Sequence, residues 1–354
     1  MADPASPDRT PTHLELRQPD DWHVHLRDGA ALAAVTPDTA ARFARAVVMP
    51  NLVPPVTTTA RALAYRERIL AAVPPGRVFQ PLMTLYLTDQ TPVEEVRRAR
   101  ASGVVVAVKL YPAGATTHSD AGVTDLERVQ GVLEAMAEEG LPLLVHGEAT
   151  APEVDVFDRE RVFIERTLAP LVERLPGLRV VLEHVTSRFG VEFVRAGPAT
   201  LAATITAHHL LINRNAMFAG GVRPHHYCLP VAKREEDRLA LVEAATSGHP
   251  RFFLGTDSAP HARARKESGC APAGIYTAHA ALELYAEAFE RAGALDRLEG
   301  FASVHGPAFY GLPPNPGRLT LVRDPWTVPA TLPLGEETLV PFRAGEPVAW
   351  RLVG

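Results

Sequence analysis

Eight short apolar, β-branched runs recur along the 354-residue chain, separated by longer segments whose apolar residues return every three or four positions. The runs are WHVHLR, AVVMP, VFQPLMTLYL, VVVAVKLY, LPLLVH, LRVVLEH, LAATITAHH and RFFLGTD. Between them lie TTARALAYRERILAAV, PVEEVRRARAS, DLERVQGVLEAMAEEG, DRERVFIERTLAPLVERLPG and REEDRLALVEAAT, whose ends carry Asp, Thr or Gly as helix-capping residues. Strands that alternate with helices run parallel, because each crossover helix returns the chain to the same end of the sheet. Eight such units predict an α/β fold, a single (β/α)8 TIM-type barrel. A doubly wound open sheet is the other arrangement the alternation allows. Beyond about residue 315 the pattern changes to GRLTLVR and ETLVPFRAGEPVAWRLVG, which predict short strands and turns, a C-terminal β-rich appendage on the same domain. The domain is expected to span 14–354, after a polar, Pro-containing tail over 1–13.

Charge excludes some functions. The 36 Lys+Arg against 41 Asp+Glu leave a net charge of -5 with no basic block, so no nucleic-acid partner is expected. The N-terminus has no apolar signal region and no run of 18 apolar residues occurs, so neither export nor membrane insertion is indicated and a cytoplasmic enzyme of small molecules is expected. The two cysteines, Cys228 and Cys270, make a poor soft-metal site, so any metal is expected on nitrogen and oxygen.

The polar residues that close the apolar runs carry the chemistry. His23 and His25 are two apart, so on an extended segment both face the same side and can reach one ion. His146, His184 and Asp257 each end a later run, and Lys109 lies near the end of VVVAVKLY. A single strand-end histidine is ordinarily a satisfied polar residue. Four of them with an aspartate and a lysine, all at the mouth where barrel active sites lie, fit two adjacent metal ions, most simply Zn2+. His208, His209, His225 and His226 are read as packing or supporting residues instead.

Lys109 is one of only three lysines, with Lys233 and Lys266. In the bland reading it reaches a buried carboxylate. In the functional one its neutral amine adds CO2 to form a carbamate whose two anionic oxygens bridge the metals, a reaction not expected of arginine.

Taken together, DWHVHLRDG, VMPNLVPPVTT, VKLYPAGATTHSDAGV, LLVHGE, LEHVTS, NRNAMFAGGVRPHHYCLP, LGTDSAPH, RKESGCA and VHGPAFYGLP resemble the amidohydrolases, and within them the class II dihydroorotases, from about Leu14 to Trp350. The resemblance implies that His23, His25 and Asp257 hold one metal and His146 and His184 the other, with carboxylated Lys109 and a hydroxide bridging both. It implies that Arg27, Asn51 and His261 bind the substrate's carboxylate, that Thr116 and Thr117 belong to a mobile loop, and that Leu229 and Ala273 contact the ring through their backbones. The activity implied is reversible cyclisation of N-carbamoyl-L-aspartate to L-dihydroorotate in pyrimidine synthesis, by a homodimer, with Asp257 carrying the proton. His208 and CAPAGIYTAH depart from the pattern, outside the implied ligands. Another cyclic amidohydrolase, of hydantoinase or allantoinase type, or an inactive structural relative remain open at this point.

Overall fold

The computed structural model describes residues 12–353, so segment 1–11 of the expected tail lies outside the described residues. Eight strands form one parallel sheet in sequence order: β1 (Asp20–Val24), β2 (Arg45–Val48), β3 (Gln80–Tyr86), β4 (Val105–Leu110), β5 (Leu143–Val145), β6 (Val180–Leu182), β7 (Leu201–Ile205) and β8 (Phe252–Leu254). The sheet closes beyond the strand ends, where Val24 bridges Ser258, His25 N donates to Ser258 O at 3.1 Å and Asp257 N donates to His23 O at 2.9 Å. It is the expected (β/α)8 barrel.

Period-two alternation decides which side chains face in. Val47, Ala107, Leu144, Val181 and Phe253 pack with Trp22 and Tyr310 in the barrel interior, while their neighbours Val48, Val108, Leu143, Val180 and Phe252 belong to the outer core under the helices. The interior is therefore filled with side chains, as in barrels of this kind, and leaves room for chemistry only at its ends. At the N-terminal end Trp22 stacks on Tyr310 at 4.2 Å between centroids. The helix His305–Tyr310 brings Gly306 so close that a Cβ there would lie 1.9 Å from Trp22 Nε1, so only glycine fits.

The predicted helices form over Thr59–Ala71, Val93–Ala101, Gln130–Glu139 and Glu235–Thr246. The segment after Asp158 is helical with one π turn, Ile164–Leu168. The helix Gly29–Arg42 is additional to the predicted set; Asp28 caps it by accepting from Gly29 N at 2.9 Å.

The C-terminal strands, expected as a β-rich appendage on the same domain, pair with the first described strand. His13–Arg17 pairs antiparallel with Arg318–Val322, which pairs with Arg351–Val353, so the first described strand joins the C-terminal ones in one small sheet. Glu287 and Glu290, on the helix Ala281–Arg291, clamp this end by accepting from Ala349 N (2.7 Å) and Trp350 Nε1 (3.2 Å). Among the described residues no helix is long and apolar enough to cross a membrane.

Candidate active site

Continuing each interior phase past its strand end delivers polar groups to the C-terminal mouth. Ala107 leads to Lys109 and Tyr111, Leu144 to His146 and Glu148, Val47 to Met49 and Asn51, and Phe253 to Gly255 and Asp257. His23 and His25 arrive differently, through a register irregularity in β1 between Asp21 and Val24 that accompanies burial of Trp22 in the barrel core. His184 is out of phase with Val181 and turns at a positive φ of 43°. Among the described residues only five other than glycine have positive φ, and four of them, Arg27 (58°), His118 (58°), His184 and Asp257 (45°), lie at this mouth or its covering loop. Backbone strain concentrated in this way is held by surrounding structure and accompanies function.

Three ligand-type atoms converge. His23 Nε2 lies 3.3 Å from His25 Nε2, and Asp257 Oδ1 lies 3.2 Å from the first and 3.1 Å from the second. Atoms bound tetrahedrally to one zinc ion stand roughly 3.3 Å apart, so the three already have the spacing of one coordination sphere. From His23 the imidazoles continue to His184 (5.1 Å between centroids) and then His146 (4.9 Å). His184 Nδ1 is buried with no hydrogen-bond partner, an unsatisfied nitrogen that a cation would satisfy. The donor set, imidazole and carboxylate without thiolate, suits Zn2+, so the residues present fit a metal centre.

Three carboxylates hold the cluster from outside. Glu183 Oε1 lies 3.0 Å from His23 Nδ1, Glu148 Oε2 lies 2.8 Å from His146 Nε2, and Asp21 accepts from His23 N (3.1 Å), Thr256 N (2.9 Å) and Thr256 Oγ1 (2.6 Å). Such partners orient a ring and raise its basicity toward a metal. Glu183 and Glu148 stand in LEH and HGE, and strand phase, counted two residues on from Val181 and four on from Leu144, was the signal that would have picked them out.

Lys109 is completely buried, its Nζ on Glu183 Oε2 and 4.9 Å from the Tyr111 ring centroid. Burial draws its amine below the usual lysine range, with Glu183 opposing. His23 is pushed the other way, to about 9: burial disfavours its charge, but Glu183 and Asp257 outweigh it. Asp257 is held well below the usual carboxylate range by His23 and His25, against its burial.

Of the expected site residues, His23, His25, His146, His184, Asp257, Arg27, Asn51, Thr116, Thr117, Leu229 and Ala273 line one cavity of about 20 Å³. Lys109 is sealed from solvent, and His261 stands behind Arg27. A larger cleft of about 630 Å³, between Leu126 and Arg174, reaches the cluster only at Glu148 and gathers none of the expected site residues.

Arg27 is half-buried and, among the described residues, pairs with no carboxylate; its Nε donates to Pro260 O (3.1 Å) and its Nη2 lies 3.0 Å from His261 Nε2. His261 Nε2 also lies 2.9 Å from Ala273 O, so the ring serves one of these partners at a time. Burial, then Arg27, pushes His261 down to about 2, which keeps it neutral. Asn51 Oδ1 lies 2.9 Å from His25 Nδ1. The loop over the cavity is closed: Thr117 Oγ1 accepts from Ala273 N at 3.1 Å and Thr117 O from Asn51 Nδ2 at 3.3 Å.

The four histidines read as packing or supporting residues stand apart from the cluster. His209 reaches Thr206 Oγ1 (2.8 Å) and Pro230 O (3.0 Å), His225 reaches Glu267 (3.1 Å), His226 reaches Ala216 O (2.9 Å), and His208 is buried beside His209.

An imidazole and carboxylate cluster at the C-terminal mouth of a (β/α)8 barrel is the arrangement of a metal-dependent hydrolase. Residues 21–334 match the amidohydrolase family, and the chain belongs to that family. Its sequence is similar to the dihydroorotase of Azoarcus sp. (strain BH72), 68% identical over 340 residues that cover 96% of this chain and 99% of that one. Its backbone is similar to the dihydroorotase of Campylobacter jejuni (TM-score 0.89, 36% identity, covering 98% of this chain and 99% of that one). It is equally similar to the dihydroorotase of Saccharomyces cerevisiae in complex with 5-fluoroorotic acid (TM-score 0.89, 33% identity, 97% and 98% covered). Within the family, the chain's place is among the dihydroorotases.

Proposed function

We propose that this chain interconverts N-carbamoyl-L-aspartate and L-dihydroorotate, closing and opening one cyclic amide, as a cytoplasmic homodimer. The observation that carries the reading is the mutual 3.1–3.3 Å spacing of His23 Nε2, His25 Nε2 and Asp257 Oδ1 beside Arg27, which has no carboxylate partner among the described residues.

His23, His25 and Asp257 would hold one Zn2+, His146 and His184 a second, and Lys109 both. The metals, when bound, supply Lewis acidity, which lowers the pKa of water and polarises a carbonyl. Lys109 takes part by adding its neutral amine to CO2, forming an N–C bond and losing one proton; its depressed pKa favours the nucleophilic form. Arg27 receives the substrate carboxylate with charge-assisted hydrogen bonds, with His261 and Asn51 completing the pocket. Asp257 moves the proton. In hydrolysis its carboxylate takes a proton from the attacking water and delivers it to the ring nitrogen as the C–N bond breaks; in cyclisation the same transfers run backwards. Thr116 and Thr117 close over the substrate and exclude water.

Turnover of dihydroorotate and metal content, measured on the same sample, test the reading. About two metals per chain are expected, with activity lost on chelation and restored by Zn2+. Fully active protein that contains no metal, or metal-loaded protein that leaves dihydroorotate untouched, would overturn it.

A further inference from the structure

Lys266 is a buried cation whose partners are carbonyl oxygens. Its Nζ donates to Tyr227 O (2.8 Å), Pro272 O (2.9 Å) and Gly274 O (2.9 Å), and sits 5.5 Å from the centroid of the Tyr227 ring. Among the described residues no carboxylate pairs with it. Three carbonyls use all three N–H groups of an ammonium, so hydrogen bonding is complete while the positive charge is left uncancelled. A planar guanidinium has no such three-way convergence, which accounts for a lysine here in a chain that otherwise favours arginine.

The three carbonyls belong to two segments that wall the active-site cavity. Gly274 N also donates to Tyr227 O at 3.0 Å, so the ammonium and this bond together tie segment 227–229, which ends in Leu229, to segment 272–274. Leu229, Ala273 and Gly274 all line the cavity. The second segment has little slack: Gly274 has φ +150°, and a Cβ there would lie 2.8 Å from Ala259 O.

The bond to Pro272 O has a particular consequence. That oxygen belongs to the same trans peptide unit as the Ala273 N–H, and in a trans unit the two groups point in opposite directions. Gripping the oxygen from behind sets the plane of the unit and aims the N–H at the cavity, where Thr117 Oγ1 now accepts it at 3.1 Å. A cation on the oxygen also polarises the amide and makes its N–H a stronger donor.

We infer that Lys266 is a positioning residue for substrate recognition, orienting and polarising the Ala273 amide so that its N–H receives an acceptor oxygen of the substrate while Leu229 is held across from it. The inference rests on the cyclic-amide reading above, and Lys266 itself touches neither substrate nor metal.

Steady-state kinetics on dihydroorotate, with metal content, thermal midpoint and the dissociation constant of orotate as a non-reacting probe, test it in the metal-loaded wild type, Lys266→Met and Lys266→Arg. Lys266→Met is expected to raise KM and the orotate constant about tenfold each, with kcat within about threefold and metal content unchanged. Lys266→Arg, which keeps charge and stem but not the three-way donation, is expected to fall between Lys266→Met and wild type, and it carries the test alone if Lys266→Met does not fold. KM and the orotate constant within about twofold of wild type in the folded variants would overturn the inference, as would a fall in kcat at constant KM. A wild type that turns over dihydroorotate while its variants bind unchanged defeats this inference alone. One that does not turn it over defeats the functional reading and this inference with it.

Discussion

Asn51 Oδ1 lies 2.9 Å from His25 Nδ1, and the same side chain donates through Nδ2 to Thr117 O at 3.3 Å. One amide thus braces a proposed metal ligand and touches the closed loop. Removing it in Asn51→Ala frees the His25 ring, and metal affinity is expected to fall about 10–100-fold, the usual effect of losing a ligand's outer partner. Asn51→Asp keeps an acceptor for His25 but adds negative charge where an anionic substrate binds, so it should recover metal affinity and lose substrate affinity. Chelator competition and KM separate the two effects.

Lys109→Arg is expected to abolish turnover, by more than about a hundredfold, and to lower metal content, although the charge is retained. A guanidinium forms no carbamate, and it is larger than the fully buried amine it replaces. Crystals of metal-loaded wild type should show carbamate density on Lys109; an unmodified ammonium in active, metal-loaded protein would contradict this.

With a cavity of about 20 Å³ beneath it, the loop bearing Thr117 is expected to open to admit substrate and close again for turnover. Thr117→Val is expected to lower kcat/KM about tenfold while the thermal midpoint moves by no more than about 2 °C, because the hydroxyl's partner is one amide at the loop's edge. Parallel losses of stability and activity would instead mark Thr117 as a packing residue.

Arg27 is expected to set the choice of ring. An unpaired guanidinium facing a ring without a carboxylate is left unsatisfied, so dihydrouracil and hydantoin should be processed at least about a hundredfold less efficiently than dihydroorotate. Arg27→Met should erase most of that preference and leave the metals in place. The check is kcat/KM for the three rings in both proteins; equal turnover of uncharged rings by the wild type would mark a hydantoinase-like enzyme.

Much of this was legible before folding. Apolar runs counted off eight strands, and their last polar residues named His146, His184 and Asp257, because on a barrel the end of each strand is also a place at the mouth. Glu183 and Glu148 were passed over for a physical reason. The eye stops at histidine, whereas strand phase continues inward from Val181 to Glu183 and from Leu144 to Glu148. The N-terminal strand His13–Arg17 is not among the eight apolar runs, since the strand it pairs with among the described residues, Arg318–Val322, lies some three hundred residues away.

By itself, then, the order of residues determined the barrel, the mouth and the kinds of group gathered there, because strand period and helix period are local properties of the chain. Tertiary structure alone decided the distances: Glu183 against Lys109 across 74 residues, Arg27 against His261 across 234, and three carbonyls from two segments converging on Lys266. Those contacts depend on closure of the sheet and on positive-φ turns at Arg27, His184 and Asp257, which the packed barrel imposes on residues that would not adopt them in isolation.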